Sequence, residues 1–211
     1  MLENIINNLL TQLSNIWWIF PIIAILLFIK TPIGKGMMGE LFVNIILSFL
    51  NKKEYILLKN ITIGDDSDTT QIDHIILSVY GIFIIETKNY SGWIYGSEKS
   101  KVWTQKFYKK KYKFQNPLHQ NYKHVKEIEK ILNIKDNIYS IVVFAGNATF
   151  KTTMPDNVIQ TPQLLQHIKN FRKKVFTEEK VFKMKEKIKN SALPKNWKTH
   201  KKHVSNLKKR Y

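Results

Sequence analysis

This 211-residue sequence predicts a mixed α/β (α+β) fold, a central sheet flanked by helices. Three observations predict it. Residues 71–78 and 82–88 are rich in β-branched and aromatic side chains and flank Val79-Tyr80-Gly81, which reads as a hairpin. Residues 138–145 form an apolar run typical of a strand buried on both faces. Between them lies a helical segment opening at Asn116-Pro117, with proline at the first helical position. Antiparallel strands followed by a helix and a buried strand imply a mixed sheet covered by helices. The length suits one domain with appendages. With 44% hydrophobic and 12% aromatic residues the chain can build a core, which excludes wholesale disorder. The absence of cysteine excludes disulfides, thiol catalysis and cysteine-ligated zinc or iron–sulfur centres.

Residues 9–29, LLTQLSNIWWIFPIIAILLFI, open the chain, and residues 16–29 are unbroken by polar side chains. About 20 largely apolar residues span a bilayer, and Trp17 and Trp18 suit its interface. The reading is a retained single-pass membrane anchor within residues 1–30, with a buried helix or a cleaved signal as the alternatives. A cleaved signal would want a basic start and a small-residue cleavage site; here Glu3 precedes the run and Lys30-Thr31-Pro32 follows it. Lys30, Lys35, Lys52 and Lys53 all follow the run, so the positive-inside rule puts the rest of the chain in the cytoplasm of a bacterial cell.

The stretch from Gly34 to Gly39 reads as a flexible hinge. A helix follows, with Met38, Leu41, Phe42, Ile45, Ile46 and Phe49 as its apolar stripe and Glu40 beside it. Residues 55–63 are strand-like, and 64–68 form a turn cluster. After the hairpin, residues 93–95 and 102–108 read as further strands of the same meander, with Lys109, Lys110 and Lys111 at the tip of the next loop. The helix from Asn116 runs to about Leu132. After the buried strand come a short strand at 157–160, a helix from Thr161-Pro162 to about Val175, and another over 178–189. The end, from Pro194, reads as basic and loose.

Net charge is +18, and +13 of it lies between Lys169 and Tyr211. Such a balance points to a polyanionic partner, nucleic acid or an anionic membrane surface. Lys109, Lys110, Lys111 and Lys113 could contact phosphates, adding affinity that falls with salt. The C-terminal tail could equally contact anionic lipid headgroups.

The densest chemistry is Gln71-Ile-Asp73-His74 followed by Glu86-Thr-Lys88-Asn89. Glu86 and Lys88 are two apart on a strand and share a face. With a two-residue turn at Val79-Tyr80, paired positions sum to 159, which sets Asp73 opposite Glu86; a bulge at Gly81 would shift this by one. Two facing carboxylates repel and call for a cation, for which a hard divalent ion such as magnesium is suited. Lys88 could then orient water or stabilise developing charge, the chemistry of phosphodiester hydrolysis. The alternative is a salt-bridged, solvated strand, against which Ile82 and Ile84 share the face of Glu86 and Lys88. His74 should face away from Asp73 and be structural. His119 and His124 are expected to be solvated; Trp93 and Trp103 could stack on bases, but packing in the sheet or core is the favoured reading.

Gly39-Glu40, the stretch from Gln71 to Gly92, and Asn116-Pro-Leu-His-Gln120 together resemble the nuclease-related domain (NERD) family, which is similar to the PD-(D/E)XK restriction-endonuclease-like superfamily. The resemblance covers about residues 34–150. It implies an αβββαβ core and divalent-metal (Mg2+ or Mn2+) nuclease chemistry. It further implies that Glu40 is the acidic position of the first helix and Asp73 the metal-binding aspartate. Glu86 and Lys88 would be the (D/E)-x-K pair, and Gln120 the glutamine of the helix after the sheet. Asp73, Glu86 and Glu40 would be the metal ligands. The expected organisation is a membrane anchor (1–30), a nuclease-like domain (31–150) and a basic helical extension (151–211). The expected function is a membrane-anchored, metal-dependent nuclease acting on DNA. Two alternatives are a tethered nucleic-acid-binding module without activity and a lipid-surface adaptor using the basic tail.

Overall fold

The computed structural model describes residues 15–64 and 69–194, together with Glu3, Ile5, Thr11 and Gln12. The expected loose tail beyond Pro194 and turn residues 65–68 lie outside them. The chain divides into two compact units, Met1–Met38 and Gly39–Tyr211.

The first unit holds helix α1 (Ile19–Lys30), which is apolar all round and buries none of its residues. Helix α2 (Pro32–Leu47) begins directly after Thr31. Among the described residues no single helix is long and apolar enough to cross a membrane; α1 and α2 pass that test only as a pair bent by 86°, and the first part of the expected span lies outside the described residues. Thr31 breaks the run: its hydroxyl takes the carbonyl of Phe28 at 2.6 Å, and proline follows it. The expected hinge at 34–39 is also corrected, because α2 runs through it. Two of its glycines serve close approach instead. A Cβ at Gly34 would lie 2.1 Å from the Phe28 carbonyl oxygen, and one at Gly39 would lie 2.6 Å from Cβ of Asn89.

The second unit is built on a five-stranded mixed sheet in the order β1-β2-β3-β7-β9. Strands β1 (Tyr55–Gly64), β2 (Thr69–Ser78) and β3 (Gly81–Lys88) are antiparallel. The β2–β3 turn is the predicted two-residue one. Ser78 pairs with Gly81, every observed pair through His74–Ile85 sums to 159, and no bulge intervenes. β7 (Ile138–Phe144) runs parallel to β3, and β9 (Val158–Gln160) parallel to β7. Helix α3 (Pro117–Leu132) and helix α5 (Glu178–Ser191) cover one face. Val125, Ile128, Leu132, Val181, Met184 and Ile188 pack there against Ile75, Leu77, Ile82 and Ile84. On the other face Val43, Leu47, Leu164 and Ile168 pack against Ile76, Phe83, Ile85 and Ile141, the last two helical residues coming from α4 (Leu164–Lys169). The order helix, three antiparallel strands, helix, parallel strand is therefore present, and residues after 150 complete the same cores.

Several expected details are corrected. The buried face of α2 is Val43 and Leu47, continued by Leu50, whereas Leu41, Phe42, Ile45 and Phe49 are about half or more exposed. Residues 93–95 and 102–108 do not extend the meander. β4 (Gly92–Tyr95) and β5 (Val102–Phe107) belong to a second sheet, ordered β6-β5-β4-β8. The physical reason is that β7 occupies the edge of β3 over seven pairs, from Ile82–Ile138 to Lys88–Phe144. The chain therefore turns away at Gly92, whose φ of +82° favours glycine. Of the three lysines expected at a loop tip, Lys109 is in the turn, whereas Lys110 and Lys111 stand on β6 (Lys110–Gln115). β8 (Ala148–Phe150) had no sequence signal. The helix expected to reach Val175 ends at Lys169, because Phe171 leaves it to pack against Tyr139 and Phe83 at 4.1 and 5.1 Å between ring centres.

Candidate active site

Asp73 stands on β2, and Glu86 and Lys88 on β3. The ladder closes at His74–Ile85, so the register continues to Asp73 opposite Glu86. Instead of a backbone pair, the Thr87 N–H donates to Asp73 Oδ2 at 2.8 Å. Glu86 is 2% exposed. Lys88 Nζ donates to Glu86 Oε1 at 2.6 Å and to Gln120 Oε1 at 2.9 Å. The solvated-strand alternative therefore does not describe this pair.

Gln120 is carried to Lys88 by the start of α3. The Asn116 side chain caps that helix by accepting the Leu118 N–H at 3.0 Å. Its amide donates to the carbonyls of Ser97, Glu98 and Ser100 at 3.2, 3.0 and 2.7 Å. One turn on, the buried Asn121 amide donates to the carbonyls of Ile84 and Ile141 and to Ser140 Oγ, pinning α3 across β3 and β7.

The second oxygen of Glu86 has a partner that sequence reasoning missed. His124 Nε2 lies 3.1 Å from Glu86 Oε2, and its Nδ1 lies 2.9 Å from Thr70 Oγ1. A carboxylate only accepts, so the Nε2 proton faces Glu86. His124 is 2% exposed, which corrects its expected solvation. Its signal was available: it follows Gln120 by four positions on the helix, hence on the same face. Thr70 had no such signal. His119 is exposed, and His74 faces away from Asp73, with Nε2 3.2 Å from Asn44 Oδ1; both agree with expectation.

Electrostatics show three carboxylates in mutual opposition. Burial, then the charges of Glu86 and Glu40, push Asp73 well above the usual carboxylate range, against the Thr87 N–H and Lys88. Burial, then Glu86, raises Glu40, which Lys88 partly offsets. Burial would raise Glu86 too, but Lys88 and His124 outweigh it and hold its carboxyl low. Burial would depress Lys88, but Glu86 outweighs that and raises it, so it stays an ammonium.

Whether the residues fit a metal turns on this donor set. Hard oxygen donors that resist one another's ionisation suit a divalent cation, and Asp73, Glu86 and Glu40 supply them. Their atoms are not gathered into a cage: among the described residues no group of three His, Asp or Glu is arranged to hold an ion. The donor chemistry fits; the coordination remains to be formed.

Of the other sequence-predicted residues, Trp103 is fully buried in a cluster with Ile94 and Phe144, as expected. Trp93 is 44% exposed, which corrects its expected packing. Lys109, Lys110, Lys111 and Lys113 are exposed on or beside the second sheet.

Comparison with known proteins bears on this arrangement. The chain is 48% identical over 121 residues to an uncharacterized protein of Bacillus anthracis, a match covering 57% of each. The chain thus spans less than two thirds of that relative's length. No solved structure matches it. The sequence pattern of the nuclease-related domain, a PD-(D/E)XK-like domain, matches residues 35–145, more than half of the chain and the whole span from Glu40 through Gln120. This chain belongs to the nuclease-related domain family.

Proposed function

We propose that this protein is a membrane-anchored, divalent-metal-dependent nuclease that hydrolyses phosphodiester bonds in DNA. One observation carries the reading: a partly buried lysine ammonium held between Glu86 and Gln120, beside a second carboxylate whose ionisation the first opposes. Asp73 and Glu86 would hold Mg2+ or Mn2+, with Glu40 as a further ligand. When bound, the ion would supply Lewis-acid polarisation of a phosphoryl oxygen. Lys88, fixed as an ammonium, does not act as a base; it donates hydrogen bonds to the negative charge that develops on the phosphate. Gln120 aims Lys88 through its carbonyl oxygen. His124 fixes the Glu86 carboxylate from the other side, with Thr70 setting the imidazole.

Membrane anchoring is supported by α1, which exposes Phe20, Ile25, Leu26 and Leu27, and by the exposed Leu41, Phe42 and Ile45 of α2. The positive-inside rule places the second unit in the cytoplasm. The basic C-terminal tail would contact nucleic acid or anionic lipid.

A binding module without activity is the second reading. It is favoured by both Glu86 oxygens being engaged by Lys88 and His124. Cleavage of plasmid and linear DNA by the full chain in mild detergent, with Mg2+ and with Mn2+, separates the two. Cleavage by wild type but not by Asp73→Ala or Lys88→Ala is the expected result. Equal cleavage by Asp73→Ala would remove the site assignment, and no cleavage by any folded form would leave the binding module.

A further inference from the structure

The second sheet is an insertion into the candidate site. The chain leaves β3 after Lys88 and enters β4 at Gly92; it leaves β6 at Gln115 and enters α3, which carries Gln120. Both ends of the insertion are thus tied to site residues. Its inner face packs Ile94 and Trp103 against Phe144 of β7.

The outer face is different in kind. Directly opposed residues share a face. Across the strands, Thr149, Trp93, Lys106 and Lys111 form one row, and Tyr95, Thr104 and Lys113 form the next. Trp93 is 44% exposed, and Lys106 and Lys151 place their ammonium groups 5.3 and 5.1 Å from its ring centre. The four strands contain no Asp or Glu. Lysines on β6 alone would be explained by protection of an edge strand. That does not account for Trp93 and Lys106, because β4 and β5 are interior strands.

We propose that this outer face is a platform for an unpaired nucleic-acid strand, with Trp93 stacking on a base and Lys106, Lys111 and Lys113 contacting the phosphates. An exposed aromatic ring on a rigid sheet amid lysines matches how single strands are held: stacking on bases, charge along the backbone. The bases of a duplex are already stacked on one another, so Trp93 would have no face to receive. A lipid surface would be served by projecting apolar side chains, whereas the ring of Trp93 is flanked by two cations. The inference rests on the nucleic-acid reading above but not on hydrolysis, and it identifies the strand form that the same protein would take.

The test is fluorescence anisotropy of a labelled single-stranded oligothymidylate, and of a duplex of equal length, with the full chain in EDTA. Trp93→Ala is expected to weaken single-strand binding about tenfold and duplex binding much less, while Trp93→Phe keeps most of it. The double variant Lys106→Gln/Lys111→Gln is expected to lower the salt slope by about 1.4, at roughly 0.7 per lost phosphate contact. Wild-type single-strand affinity in both Trp93→Ala and the lysine pair would overturn the proposal. So would an unchanged oligonucleotide affinity accompanied by lost binding to phosphatidylglycerol vesicles, which would assign the face to lipid. If no form cleaves DNA yet Trp93→Ala loses binding, the platform stands and the hydrolytic reading alone fails.

Discussion

Glu86 is held at both oxygens, by a flexible lysine on its own strand and by a histidine locked to Thr70. Removing the histidine leaves a buried carboxylate half partnered. His124→Ala should cost about 1–3 kcal/mol in chemical denaturation, and His124→Gln, which keeps an N–H donor, should recover part of it. The carboxylate opposition gives a prediction with a definite sign. Asp73 is raised in the folded chain, so the fold binds more protons than the unfolded chain as pH rises out of the ordinary carboxylate range. Its contribution is present at acid pH and lost toward neutrality. Asp73→Asn should therefore raise the metal-free Tm at pH 7, by about 2–4 °C per kcal/mol of repulsion removed. The same substitution should abolish the rise that saturating Mg2+ or Mn2+ produces in wild type, about 2.7 kcal/mol at a hundredfold excess over Kd. His74 works in the opposite direction. Burial, then Lys59, lowers it to about 4 from 6.5. Its contribution is full above pH 6.5 and is lost as pH falls toward 4, a loss of about 3 kcal/mol. His74→Gln should flatten that part of the pH–stability curve; an unchanged curve would contradict the assignment.

Helix α3 is the element that assembles the site, since Gln120, Asn121 and His124 all project from its first two turns. Its position depends on Asn116, which is fully buried and bonds in both directions. Asn116→Ala removes the cap and strands three carbonyls. It should cost about 2 kcal/mol of stability and should release Gln120 from Lys88, seen as a fall in any DNA cleavage larger than the Tm change explains. A second element-level constraint lies at Gly39, where α2 approaches the end of β3. Gly39→Ala would push Asn89, one residue beyond Lys88, and should lower Tm measurably.

Along the sequence the positive charge is concentrated in the C-terminal stretch, and β6 adds three exposed lysines on the second sheet. The core itself is nearly uncharged apart from the site. The proposed membrane anchoring rests on the apolar helix α1 of the first unit. Removal of residues 1–30 should shift the protein from the membrane to the soluble fraction on cell fractionation while preserving metal-dependent stabilisation; retention in the membrane fraction would assign anchoring to the tail or to α2 instead.

Patterns carried by neighbours in the chain were legible. The hairpin register, the shared face of Glu86 and Lys88 and the Asn116 cap with its helix to Leu132 follow from alternation, turn length and proline placement, forces that act over a few residues. The second sheet, β8 and the true inner face of α2 were not legible, and the four-residue spacing from Gln120 gave the face of His124 but not its burial. Each results from competition between distant segments: β7 takes the strand edge that β4 would have used, and α3 turns His124 inward because Glu86 waits there. The α2 stripe misled because Leu41, Phe42 and Ile45 have the spacing of a core face, yet Val43 and Leu47 meet the sheet. The sequence alone determined which residues could do the chemistry, because their types and spacing are local properties. Only packing decided what each of them touches, because Gln120 and His124, far along the chain from β3, meet Lys88 and Glu86 only when sheet and helix close on each other.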